Sequence, residues 1–165
     1  MVFLSNKELK NILLLLSALF LQCEQRKTEA PTLHFDLVAI QNHIHQANAN
    51  YGYRFLTDSL PWYEERYCQN ACAMPEDTTS ICGIDQLIAY YYNQGKNKDF
   101  IIEVEAKAIY GSDSAVVEEG IYQFPNPNGG FYDQGKFIAI WKQENGLWKI
   151  HREIWNSNQL PTDQK

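Results

Sequence analysis

Near Lys98 the hydrophobic pattern of the chain changes period, from the three- and four-residue steps of helices to the apolar runs of strands. Four such runs follow, FIIEVEAKAIY, SAVVEEGIYQF, GKFIAIWKQ and LWKIHREIW, all rich in β-branched and aromatic residues. GSD, PNPNGG and ENG separate them, and each separator is a turn former. Asn145-Gly146 is the clearest hairpin signal, because both residues tolerate the left-handed backbone of a tight two-residue turn. Strands joined by connections this short pair antiparallel.

Upstream of Lys98 the pattern is helical. From Phe35, the residues Leu37, Ile40, Ile44, Ala47 and Tyr51 form one apolar stripe. His43 and His45 fall off that stripe and, two apart on a helix, point in different directions, which predicts a solvated face rather than a metal site. Asp58-Ser-Leu-Pro61 starts a short second helix, with Pro61 suited to its first turn. Residues 71 to 75, ACAMP, read as a brief strand ended by Pro75 and the loop EDTTS. A third helix begins near Gly83, buries Ile84, Leu87, Ile88 and Tyr91, and stops at Gly95. Helices followed by a run of strands predict an α+β domain with the helices on one face of the sheet. At 165 residues and 45% apolar composition, the chain has room and material for one such core.

The first 23 residues stand apart. Lys7 and Lys10 precede an apolar run from Ile12 to Leu21, the length of a signal-peptide core and too short to span a bilayer comfortably. The run ends at Cys23, where bacterial lipoprotein processing would cleave and acylate, although Phe20, Leu21 and Gln22 make an imperfect lipobox. An ordinary signal peptide cut elsewhere, or an uncleaved anchor, would equally export the chain. The expected organisation is a signal peptide over 1–23, a tether over 24–33, the domain over 34–157 and a tail over 158–165. The expected address is the bacterial cell envelope, with the chain lipid-anchored at Cys23 in the periplasm or outer membrane rather than freely secreted.

A net charge of −6 and a pI near 5.2 argue against a nucleic-acid groove, which would carry a basic stripe, and leave small molecules or proteins as partners. In an oxidising compartment Cys68, Cys72 and Cys82 would form one disulfide and leave one thiol over, with the pair open. The Cys68/Cys72 spacing has no second Cys or His pair nearby, so the residues read as packing cysteines rather than a metal motif. His34, His43, His45 and His151 have no ligand spacing with carboxylates, and neither a metal nor a cofactor is expected. There is no G-x-S-x-G, and Gly129-Gly130 sits in a hairpin turn rather than at a phosphate-binding helix start.

The order helix, short helix, short strand, helix, four long strands resembles the nuclear-transport-factor-2-like, or cystatin-like, fold. ACAMP followed by GIDQLIAYY is similar to that group's strand and "G..AI..F" helix, and SAVVEEGIYQF to its "A.E.G.Y" strand. GKFIAIWKQENGLWKIHREIWNS resembles the closing hairpin of the SnoaL-like proteins, domain-of-unknown-function family 4440. The resemblance covers roughly residues 34 to 157. It implies a cone: a curved antiparallel sheet wrapped around N-terminal helices, with a cavity inside and a homodimer through the outer sheet face. Activities known in the fold include isomerases, cyclases and dehydratases, beside many non-catalytic binders, so the fold leaves function open.

Strand alternation assigns the walls of that cavity. On the last strand Trp148, Ile150, Arg152 and Ile154 share one face, and Lys149, His151, Glu153 and Trp155 the other. The first set, mostly apolar with one charge, reads as the inner wall. It would join Phe137, Ala139 and Trp141 of the preceding strand and Glu118, Gly120, Tyr122 and Phe124 of the one before. The expected ligand pocket is Tyr51, Met74, Glu118, Tyr122, Phe137, Trp141 and Arg152. A buried Arg152 must either pair with Glu118 or anchor a small carboxylate or other polar ligand. With the opposite parity, Glu153 and His151 would face inward as a general base. On the preferred parity Trp155 lies outside, as a dimer contact.

Isomerase chemistry of this fold needs a carboxylate base after the short strand and a protonated acid beside a tyrosine. Pro75 stands where the base would lie and Phe137 and Ile138 where the acid would lie, while Glu76 and Asp77 fall in a polar loop. Catalytic residues therefore remain unassigned. The leading expectation is an exported, non-catalytic module that binds a small molecule in a conical pocket or pairs with itself. The alternative is a SnoaL-like isomerase, cyclase or hydrolase with non-standard catalytic residues.

Overall fold

The computed structural model describes residues 35–57, 60–76, 78–95 and 101–159. The signal peptide, Cys23, the tether, His34 and the end of the tail lie outside the described residues. Three helices open the domain: α1 (Leu37–Ala49), α2 (Tyr51–Thr57) and α3 (Leu60–Arg66). Strand β1 (Tyr67–Met74) and the two-residue β2 (Ile81–Cys82) follow, then α4 (Ile84–Gly95). Four long strands complete it: β3 (Glu103–Ser112), β4 (Ala115–Pro125), β5 (Phe131–Glu144) and β6 (Leu147–Ser157). Among the described residues no helix is long and apolar enough to cross a membrane.

Local chemistry accounts for the element ends. Asp36 caps α1 by accepting the Ala39 backbone N–H at 3.0 Å. The β5–β6 turn places Asn145 at φ 54° and Gly146 at φ 79°, the two left-handed positions that the Asn-Gly pair suits. The third-helix stripe is as read from the sequence: Ile84, Leu87 and Tyr91 are buried and Ile88 packs beside them.

The six strands form one curved, unclosed sheet in the order β2-β1-β6-β5-β4-β3. Its pairs are antiparallel except β1 with β6, which run parallel. That pairing explains why the brief strand expected over 71–75 runs from Tyr67 to Met74: β6 offers it a long partner edge. The Cys72–Cys82 disulfide fastens β2 to β1, and the Gly83 N–H donates to the Ala71 carbonyl at 2.8 Å, so α4 starts from a fixed point. Cys68 is the remaining, buried thiol. The helices cover one face of the sheet, and Ile44, Leu87, Tyr67, Val116, Trp141 and Ile150 fill the layer between.

One irregularity reassigns a whole strand. On β5 and β6, Ile140 pairs with Arg152 but Trp141 pairs with Ile150, so His151 is an extra residue, a β-bulge. Up to the bulge the expected parity holds, with Ile150 1% exposed. Beyond it the faces exchange. Glu153 pairs with Ala139 and Trp155 with Phe137, which puts both on the inner face, whereas Ile154 is 49% exposed.

Candidate functional site

A cavity of about 190 Å³ lies between the helices and the concave face of the sheet. The helices contribute Tyr51 and Phe55 from α2, Arg66 from the end of α3, and Tyr90 and Tyr91 from α4. The sheet contributes Val104, Tyr122, Phe124, Asp133, Phe137, Glu153 and Trp155, with Ile102 beside them. Eight of these side chains are aromatic and three are charged.

Two glycines shape the wall. A Cβ on Gly120 would stand 2.4 Å from the Phe137 ring, and one on Gly135 would stand 2.5 Å from the Tyr122 ring. Each ring belongs to the residue opposite the glycine in register, Phe137 to Gly120 and Tyr122 to Gly135. The space beyond the rings stays open as a result.

Beneath the cavity runs a buried polar chain. Arg66 is 8% exposed, and its guanidinium sits 4.6 Å from the Tyr51 ring centroid and 5.5 Å from that of Trp141. Its Nη2 donates to Asn48 Oδ1 at 3.3 Å, and Asn48 Nδ2 donates to Glu118 Oε1 at 2.5 Å. Arginine only donates, which fixes which end of the Asn48 amide faces Glu118. Trp141 Nε1, also donor only, reaches Glu118 Oε2 at 2.8 Å. Both oxygens of Glu118 therefore accept, the pattern of a carboxylate. Desolvation raises the pKa of Glu118, and Arg66, Asn48 and Trp141 oppose the rise.

Arg66 is less well satisfied. Its Nε and Nη1 are buried without a hydrogen-bond partner, and among the described residues no ion pair within 4 Å joins it to a carboxylate. The second interior carboxyl, Glu153, accepts a hydrogen bond from the Tyr91 hydroxyl. Desolvation pushes its pKa up, and the Glu118 charge adds to the rise, while Tyr91, Arg66 and Tyr67 pull it down. At the other end, Asp133 accepts from Tyr122 Oη at 3.2 Å, Ser157 Oγ at 2.6 Å and the Gln134 N–H at 2.7 Å.

The residues expected in the pocket divide accordingly. Tyr51, Tyr122 and Phe137 line the cavity. Glu118 and Trp141 lie just below it, joined to each other rather than to a ligand. Arg152 and Met74 are elsewhere. Past the bulge Arg152 turns to the outer face, where Nη1 donates to the Asn70 carbonyl at 3.0 Å, so the Arg152–Glu118 pair does not form. Met74 pairs with Ile154 and shares that outer face. Trp155, expected outside, lines the cavity 6.2 Å from Tyr91. Lys149, assigned to the outer face, is 8% exposed and donates to the Glu64 carbonyl at 2.7 Å. The His151–Glu153 dyad is absent too: Glu153 turns to Tyr91, and His151 to the Arg152 guanidinium. Burial and the Arg152 charge hold the His151 pKa below its ordinary value.

Sequence reasoning missed Asn48 and Arg66, although both carry a signal. Asn48 continues the Ile40, Ile44 step and is the polar residue on a buried stripe. Arg66 stands four after Trp62, on the buried face of α3.

No protein-family model matches the chain, and no curated protein does. Solved structures do. A protein of unknown function with a cystatin-like fold from Nostoc punctiforme superposes with a TM-score of 0.65 at 12% identity, over 77% of this chain and 98% of that one. A ketosteroid isomerase-like protein from Erwinia carotovora atroseptica gives 0.60 at 13% identity, over 77% and 99%. A nuclear-transport-factor-2-like protein of unknown function from Pseudomonas putida gives 0.61 at 11% identity, over 78% and 93%. At such identities the likeness speaks for architecture alone, and by that measure the chain has the nuclear-transport-factor-2-like, or cystatin-like, fold.

Proposed function

We propose that this is a SnoaL-like domain that binds a small, mostly apolar molecule in the cavity and performs no chemistry on it. The observation that supports this reading is the cavity wall, with eight aromatic rings around about 190 Å³. A pocket of this kind recognises a flat apolar body through its walls and orients it through few polar groups. Val104→Trp tests the reading by filling the chamber. Benzyl alcohol, indole and 4-methylphenol should raise the melting temperature of the native chain and leave a folded Val104→Trp variant unmoved. No shift with any of the three, or equal shifts in the variant, would sink the reading.

The same proposal extends to address and assembly. The chain is exported, held at the envelope by a lipid on Cys23, and paired through the outer sheet face. The Cys72–Cys82 disulfide suits an oxidising compartment. Ile138 and Ile154, opposite each other and 45% and 49% exposed, make with Met74 an apolar strip suited to a second copy. Labelling with radioactive palmitate, lost in Cys23→Ala, tests the anchor. Light scattering of Ile138→Glu tests the dimer, and an unchanged mass would count against it.

A catalytic reading has one supporting observation: Glu153, a cavity carboxyl whose pKa burial raises, is placed to exchange a proton with a bound molecule. Turnover of a bound ligand that Glu153→Gln abolishes, with affinity kept, would favour it over simple binding.

A further inference from the structure

We infer that the ligand is a small carboxylate with a flat apolar body, its carboxylate held by Arg66 and by the protonated carboxyl of Glu153. This rests on the binding reading of the cavity and names the ligand class for it.

Arg66 is the first ground. Its side chain lines the cavity, is more than nine-tenths buried, and has two of its three guanidinium nitrogens without an acceptor. A guanidinium has no acceptor capacity, so whatever completes it must bear acceptors, and an anion does so best. The group is already held by Asn48 and by the Tyr51 and Trp141 rings, so a ligand would find it immobilised.

The balance of charge is the second ground. The groups that face Glu153 are Tyr90 and Tyr91 of α4, Tyr51 of α2, Arg66 of α3, Tyr67 of β1 and Glu118 of β4. Arg66 is the one cation in that set, and the Asn48 bridge already commits it to Glu118. A carboxylate entering beside Glu153 would meet a like charge unless Glu153 carries a proton. With that proton, Glu153 donates a hydrogen bond to the ligand carboxylate, beside those from the two unsatisfied Arg66 nitrogens. Binding therefore takes up a proton wherever Glu153 is ionised in the free chain, so affinity falls as pH rises. A cationic ligand fits poorly: it would face Arg66, and the oxygens of Asp133 already have three donors.

Isothermal titration calorimetry with benzoate, benzamide and benzyl alcohol on the native chain tests this. Benzoate should bind at least about tenfold more tightly than either neutral analogue at pH 5. The preference should shrink toward pH 8, and titrations in buffers of different ionisation enthalpy should show proton uptake. Arg66→Gln should bring benzoate down to the affinity of benzamide. If that variant does not fold, Glu153→Gln provides the second arm: it should keep the preference for benzoate and lose the proton uptake. Equal affinities for benzoate and benzamide, or a preference that survives Arg66→Gln, would overturn the anion assignment and leave the cavity reading standing. An affinity for benzoate that stays the same from pH 5 to pH 8, with no proton taken up at either, would overturn the role of Glu153. Binding of none of the three would overturn the cavity reading and this inference together.

Discussion

Replacing Asn48 by leucine keeps the heavy-atom count and branching of the side chain and removes the amide that joins Arg66 to Glu118. Asn48 is 5% exposed and Glu118 is wholly buried, so water cannot readily stand in. The substitution strips Glu118 Oε1 of its 2.5 Å donor and Arg66 Nη2 of its acceptor at 3.3 Å. A hydrogen bond to a charged group contributes about 1.5–3 kcal/mol. Stranding one partner of a buried charge pair costs about 3–5 kcal/mol. The Arg66 bond is long and Trp141 still serves Glu118, which places the expected loss near the lower end, about 3 kcal/mol. Urea denaturation followed by far-ultraviolet circular dichroism at pH 7 measures it. With a slope of about 2 kcal/mol per molar, the midpoint should fall by about 1.5 M. Glu118→Gln in both backgrounds completes a double-mutant cycle, in which the two losses should be clearly less than additive. A loss below about 1 kcal/mol, or strict additivity, would refute the bridge as the means by which the interior holds its charges.

Three further outcomes follow from the same geometry. Glu153 binds its proton more tightly folded than unfolded, so its contribution to stability is complete below about pH 4.5 and is lost as pH rises through its raised folded value; Glu153→Gln should flatten that part of a stability–pH profile, and an unchanged profile would refute the assignment. Paired replacement of Cys72 and Cys82 by alanine opens a loop of sequence separation 10 and should cost about 2.8 kcal/mol in chemical denaturation, whereas a neutral result would mean the edge strand holds without its bond. Gly120→Ala drives a methyl into the Phe137 ring and should cost about 1–3 kcal/mol, partly restored by adding Phe137→Leu; a neutral Gly120→Ala would contradict the ring-over-glycine packing.

Much of the architecture was legible because it rests on periodicity and turn chemistry. The four long strands, the Asn145-Gly146 turn, the Ile84–Leu87–Tyr91 stripe and the inward faces of β4 and β5 all follow from local pattern. Longer-range features were not legible. Tyr67 through Asn70 become strand because β6 lies alongside in parallel, and Ile81–Cys82 becomes strand because Cys82 is bonded to Cys72. In the site, alternation gave Tyr122 and Phe137, but a bulge has no dependable local signature, so everything after His151 was assigned to the wrong face. Alternation places the buried arginine on that strand as Arg152, while the interior takes its cation from the helical side, at Arg66.

That bulge also makes the charge of the cavity a matter of counting. Deleting His151 would restore strict alternation without exchanging a face: Ile150 would stay inward, Arg152 outward opposite Ile140 and Glu153 inward opposite Ala139. The extra residue is what lets Ile150 and Glu153, three apart in sequence, share the inner face. A chain that kept His151 but paired it as an ordinary strand residue would turn Arg152 inward and Glu153 outward, reversing the charge this strand gives the wall without substituting a side chain.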